Sequence, residues 1–133
     1  MSAPRVLIVD DNAMNVDLVS FVLTAGGFEV ESVQDPTLAL AHIAKSRPDL
    51  ILMDIQMPDI DGVELTCRLK SDAATRGIVV VAFTADAMKG DEARLRAAGC
   101  DAYLSKPINV ATFAQTVREH LRAGVHVPPA EPT

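Results

Sequence analysis

A handful of residues with chemistry to offer stand at the ends of apolar runs. Asp10 and Asp11 close Arg5-Val6-Leu7-Ile8-Val9, Asp54 closes Leu50-Ile51-Leu52-Met53, Thr84 closes Ile78-Val79-Val80-Val81-Ala82-Phe83, and Lys106 follows Ala102-Tyr103-Leu104-Ser105. Taken singly these are ordinary: an Asp after a strand is usually a turn former, and a lysine before Pro107 is usually a solvated surface residue. As ends of strands in one parallel sheet they would share an edge, where open α/β sheets bind their ligands. Three carboxylates near one point disfavour joint ionisation. A bound divalent cation removes that cost, and oxygen-only donors without His or Cys suit Mg²⁺. A carboxylate beside such a cation can attack phosphorus and form an aspartyl phosphate. Asp54 is the candidate nucleophile, because it ends a buried run and opens into a loop carrying Pro58, Asp61 and Gly62. Lys106 offers a point charge, and the Thr84 hydroxyl a donor, for phosphoryl oxygens.

The elements that must position these groups are legible in order. Arg5 to Val9 reads as a strand buried on both faces. Asp10-Asp11-Asn12 can cap a helix from Ala13 to Ala25, on which Met14, Leu18, Phe21, Val22 and Ala25 recur at three and four. Gly26-Gly27 ends it. Phe28 to Val33 alternates as an edge strand does, and Asp35-Pro36 reads as an N-cap with proline at the first helical position. That helix carries Leu38, Leu40, Ala41, Ile43 and Ala44 to about Lys45. After the strand ending at Asp54, a third helix carries Val63, Leu65, Thr66 and Leu69 to about Lys70. A fourth spans about Ala87 to Ala98 with Met88, Ala93, Leu95 and Ala98, stopping at Gly99. Asn109 caps a fifth, with Phe113, Val117 and Leu121 on its buried side. Strand and helix alternate five times, which argues for βαβ units and a parallel sheet covered on both faces.

Composition bounds the class. The 133 residues fit one domain, 49% are hydrophobic, only 4% are aromatic and Trp is absent, so the core must be aliphatic. A net charge of −6 lacks the basic footprint that nucleic-acid binding needs. No apolar run approaches a membrane span and no signal-peptide core is present, so a cytoplasmic protein is expected. Cys67 and Cys100 read as two reduced thiols. Residues 1–123 are expected to be one domain, and the proline-rich 124–133 a disordered tail.

Val9-Asp10-Asp11-Asn12, Met53-Asp54-Ile55-Gln56-Met57-Pro58 with Asp61-Gly62, Phe83-Thr84-Ala85 and Ser105-Lys106-Pro107 together resemble the receiver domain of bacterial two-component response regulators, of the stand-alone chemotaxis or cell-division type. The resemblance runs from about Arg5 to Ala123. It implies a flavodoxin-like, doubly wound, five-stranded parallel sheet in the order 2-1-3-4-5 with five helices. It also implies that Asp54 takes a phosphoryl group from a phosphohistidine on a sensor histidine kinase or a histidine phosphotransfer protein. Asp11, Asp54 and the backbone carbonyl of Gln56 would bind Mg²⁺ directly, with Asp10 assisting through water. Thr84 and Tyr103 would form a switch, read out by a downstream protein target at the fourth helix, last strand and fifth helix. Dimerisation on phosphorylation would be one form of that readout. Such a protein catalyses only its own phosphorylation and dephosphorylation.

Competing readings are weaker. The chain could be a receiver from a hybrid kinase or a multidomain regulator, although Met1 so close to the first strand favours a complete protein. A haloacid-dehalogenase-type phosphatase also uses an Asp nucleophile on a parallel sheet, but it places a second acid where Gln56 stands. A flavin module of the same fold would need a Ser/Thr/Gly-rich phosphate loop after the first strand, and Asp10-Asp11-Asn12 is not one.

Overall fold

Strands apolar on both faces must be covered on both faces, and the central ones are. In the computed structural model, which describes residues 3–55, 62–84, 89–105 and 108–125, every residue of β3 (Leu50–Asp54) and β4 (Val79–Thr84) is buried. With β1 (Arg5–Val9), β2 (Glu29–Val33) and β5 (Ala102–Ser105) they form one sheet in the order β2-β1-β3-β4-β5. All four pairings are parallel, so this is the 2-1-3-4-5 arrangement expected.

Successive side chains of a strand point to opposite faces, which sorts the core into two layers. Val6, Ile8, Leu50, Leu52, Val79, Val81 and Phe83 pack against α1 (Ala13–Ala25) and α5 (Phe113–Val125). Leu7, Val9, Ile51, Met53, Val80 and Ala82 pack with residues of α2 (Ala39–Lys45), α3 (Gly62–Ser71) and α4 (Lys89–Ala98). Each such aliphatic side chain contributes roughly 1.5–3 kcal/mol on burial. Edge strand β2 is mostly exposed.

The buried stripe of α1 differs from the expected one. Val16, Val19, Val22 and Leu23 face the sheet, while Met14 is 82% and Phe21 73% exposed, and Leu18 also faces outward. The helix is apolar over most of its circumference and carries two overlapping stripes at helical spacing, which share only Val22. Periodicity cannot choose between them. Packing makes the choice: Val16, Val19, Val22 and Leu23 share one core layer with Val6, Ile8, Leu52 and Val81 of the sheet.

Asp35 caps a 3₁₀ turn, Pro36–Leu38, rather than α2 itself. Its carboxylate accepts from the Thr37 hydroxyl at 2.6 Å and the Thr37 amide at 3.0 Å, and these bonds hold it below the usual carboxylate range. Within that region Ala39 and Ile43 are buried, whereas Leu38 and Leu40 are exposed. Both cysteines are free thiols, Cys67 exposed and Cys100 buried. Helix α5 extends through Gly124 and Val125, two residues into the segment expected as tail. Residues 126–133 lie outside those described, as do Ala87 and Met88 of the expected fourth helix.

Candidate functional site

Two neighbouring strands deliver the carboxylates. β1 and β3 pair in register, Val9 beside Met53, so Asp10 and Asp54 emerge side by side at the same edge. The Asp10 amide continues the ladder by donating to the Val33 carbonyl at 3.2 Å, which places the residue at the strand end and fully buries it. Asp54 is only 3% exposed. Asp11 is exposed. One carboxylate oxygen from each of Asp10, Asp11 and Asp54 lies within 4.8 Å of the others.

The start of α1 organises the Asp10 carboxylate. Its Oδ1 accepts the Asn12 amide at 2.9 Å, and its Oδ2 accepts the Asn15 side-chain amide. Asn12 is the helix N-cap, in extended conformation, and its Oδ1 accepts the Asn15 amide at 3.0 Å. The positive dipole end of the helix thus lies beside the Asp10 carboxylate.

On the other side of β3, Asp54 pairs in register with Phe83, and buried Thr84 is the next residue of β4. Thr84 pairs with Ser105 and Ala82 with Tyr103. Tyr103 is half-buried against the layer under α3 and α4. The register thereby brings Asp10, Asp11, Asp54, Thr84 and Tyr103 to one end of the sheet. Gln56, Asp61, Lys106 and Pro107 lie outside the described residues.

The oxygen set suits a hard dication. Ligand oxygens about 2.1 Å from one Mg²⁺ lie at most about 4.2 Å apart, so a cluster spanning 4.8 Å can close on an ion with one member bonded through water. Among the described residues no His or Cys belongs to it, which fits Mg²⁺ better than zinc.

Two participants carry only faint signals in the sequence. Asn15 touches Asp10, and its sole clue is its place three residues after a capping Asn. Gly62, noted as a loop residue, is required sterically: a Cβ there would stand 2.5 Å from the Asp54 carbonyl oxygen and 3.1 Å from the Ile55 Cα. A bare backbone at Gly62 is what lets α3 begin against the end of β3.

A parallel sheet of this order with an acidic cluster at its carboxyl edge defines a class of signalling proteins, and the chain belongs to it: residues 6–118 match the response regulator receiver domain. This is the phosphoacceptor family of two-component signal transduction. The chain is 47% identical over 116 residues to the polar-differentiation response regulator DivK of Brucella anthropi, covering 87% of this chain and 94% of that protein. Among solved structures, the chemotaxis protein CheY4 of Vibrio cholerae superposes with a TM-score of 0.83 at 29% identity, over 89% of this chain and 98% of that one. A CheY-like receiver domain protein from Methanospirillum hungatei gives 0.84 at 31% identity, over 92% and 97%. Among the described residues, no helix is long and apolar enough to cross a membrane.

Proposed function

We propose that Asp54 is the phosphoacceptor and that Mg²⁺ bound by Asp10, Asp11 and Asp54 supports the transfer. The observation that carries this is the clustering of three carboxylate oxygens within 4.8 Å, two of the residues buried, at the end of the central strand. Bound there, Mg²⁺ would supply the positive charge that offsets the cluster and the developing charge on a phosphoryl group. An Asp54 oxygen forms the bond to phosphorus as the P–N bond of a phosphohistidine breaks. The imidazole leaves with the electron pair and takes up a proton. Asp11, Asp54 and the Gln56 carbonyl would hold the cation directly, with Asp10 assisting through water. Lys106 holds a phosphoryl oxygen by charge, and Thr84 donates its hydroxyl to another.

The donor is a sensor histidine kinase or histidine phosphotransfer protein in the cytoplasm, and no external substrate is turned over. The phosphate adds about −1.5 to −2 charges and three acceptor oxygens. It draws Thr84 inward and lets Tyr103 follow, which alters the face made by α4, β5 and α5. That face meets the downstream target or a second copy of the chain. The receiver unit begins before β1 and reaches the end of α5 at Val125.

Incubation with acetyl phosphate and Mg²⁺ should add one phosphate, acid-stable and base-labile, as read by intact mass. Asp54→Asn should abolish it. Equal labelling of that variant, or repeated turnover of added phosphomonoesters, would overturn the reading.

A further inference from the structure

A cleft of about 420 Å³ opens between α2 and α3, toward their C-terminal ends. Helix α2 is only seven residues long and spends its buried positions, Ale39 and Ile43, on the core. Leu40 and Ala44 therefore face the gap and stay exposed, with Ile43 between them. Ala74 and Thr75, in the turn after α3, complete the apolar part of the lining. Two guanidiniums join it, Arg47 from just beyond α2 and Arg68 from the last turn of α3.

Neither arginine is strongly committed elsewhere. Among the described residues Arg47 makes no ion pair, and its Nε donates to the Ala74 carbonyl at a long 3.4 Å. Arg68 pairs with Glu64 at 3.5 Å, both side chains 64% exposed, an arrangement worth little. Basic groups in a last turn often serve the helix's final carbonyls. Those of α3 already have donors: the Ser71 hydroxyl on Cys67 at 2.7 Å, the Thr75 hydroxyl on Leu69 at 2.6 Å and the Arg76 amide on Asp72 at 2.9 Å. The one acid in the lining, Asp72, is turned to its own loop, its Oδ1 accepting the Ala74 amide at 2.9 Å.

We propose that the cleft between α2 and α3 binds a small organic carboxylate with an apolar body. The body rests on Ile43 between Leu40 and Ala44, and the carboxylate meets Arg47 and Arg68. The volume lies in the range of about 300–1,000 Å³ typical of small-molecule sites, which combine an apolar lining with a few polar groups. A guanidinium presents a planar fork of donors that matches a carboxylate, and such charge-assisted bonds are the strong ones. Charge also selects the class: an ammonium ligand would meet two cations, and a neutral one would leave both without a partner. Helix α3 starts at Gly62, against Asp54, and its far end borders the cleft. The site is therefore separate from the acidic cluster and independent of the phosphoacceptor reading.

The test is titration of the full chain with phenylbutyrate, followed by amide NMR, beside phenylbutanol, which has the same body without the charge. Phenylbutyrate should shift the Ile43, Ala44, Ala74 and Thr75 amides saturably, and phenylbutanol should bind about tenfold more weakly. Arg47→Gln and Arg68→Gln should each raise the phenylbutyrate Kd about tenfold. Ala44→Phe keeps both guanidiniums but fills the cleft, so it should abolish binding. Lys45→Gln removes a neighbouring cation outside the lining and should leave the Kd unchanged. The substituted positions are all exposed, and the same spectra report whether each variant is folded. No saturation at millimolar phenylbutyrate, equal binding of phenylbutanol, or an unmoved Kd in both arginine variants would overturn the inference. Shifts of the same amides on concentrating the protein alone would also overturn it, by placing a second copy of the chain in the cleft.

Discussion

The sheet carries an aspartate cluster at its carboxyl edge and, at its amino edge, aspartates engaged within the chain, Asp101 among them, and the two edges are solved differently. Asp101 precedes β5. Its Oδ2 accepts the Val80 amide and the Lys70 ammonium, each at 2.8 Å. Lys70 also donates to the carbonyls of Ile78 at 2.8 Å and Arg76 at 3.2 Å. Gly99, at φ +107°, brings the turn so close that a Cβ there would meet Lys70 Cγ at 2.8 Å. Here the counter-cation is built into the chain, so charge and hydrogen bonds close and the arrangement is structural. At the other edge Asp10, Asp11 and Asp54 converge on a site suited to a cation from solution. A cation taken from solution is one whose binding can be coupled to chemistry.

Four measurements sharpen or break that contrast. The largest effect should come from Mg²⁺ itself: at 100 times its Kd it should stabilise the wild type by about 2.7 kcal/mol in urea unfolding. Lys70→Met should keep that increment and Asp11→Asn should lose most of it, and loss of the increment in Lys70→Met would show that the two sites are coupled. Next, Lys70→Met should cost about 1–3 kcal/mol with or without Mg²⁺, because it leaves the Ile78 carbonyl and the Asp101 carboxylate short of a donor. Its salt-bridge component is partly exposed and adds little.

Third, Asp11→Asn should act with the opposite sign when Mg²⁺ is absent. Removing one of three like charges should raise stability by a few tenths to about 1 kcal/mol, judged from exposed charge pairs. A loss instead would mean that Asp11 is held by the fold for structural reasons. The smallest effect concerns Cys100, beside Asp101. Burial pushes its thiol up, a hydrogen bond to Thr66 opposes this, Asp101 adds to the rise and Lys70 counters it. A raised value means that the folded chain keeps the proton longer, so its stabilising contribution is present below the unfolded thiol's ordinary value of about 8.5 and declines as pH rises above it. At pH 8 a disulfide reagent should modify exposed Cys67 promptly and Cys100 slowly, and Lys70→Met should slow Cys100 further.

Much of the site could be read without coordinates because strand ends in a parallel sheet converge. Val9 and Met53, adjacent in register, put Asp10 and Asp54 where the apolar runs predict. The sheet order came from resemblance, since alternation of strands and helices alone allows several orders. Reading failed where two local patterns competed. On α1, Met14, Leu18 and Phe21 match helical spacing as well as Val16 and Val19 do, and only contact with the sheet chose the valines. At Asp35 the N-cap pattern was present, but its bonds to Thr37 closed a 3₁₀ turn first. Asn15 escaped notice because an asparagine one turn into a helix has no distinctive chemistry until its carboxamide is seen on Asp10.

The amino-acid sequence by itself determined which strands would be buried and that the polar residues ending them would share one edge, because apolar runs and the polar residues ending them are local properties that any parallel packing preserves. Only the tertiary structure decided how those groups are held: the face α1 turns inward, the bare approach of Gly62 to the Asp54 carbonyl, and the Asn15 tether on Asp10. Each depends on contacts between segments that no spacing encodes, and at distances of a few ångströms such contacts govern orientation.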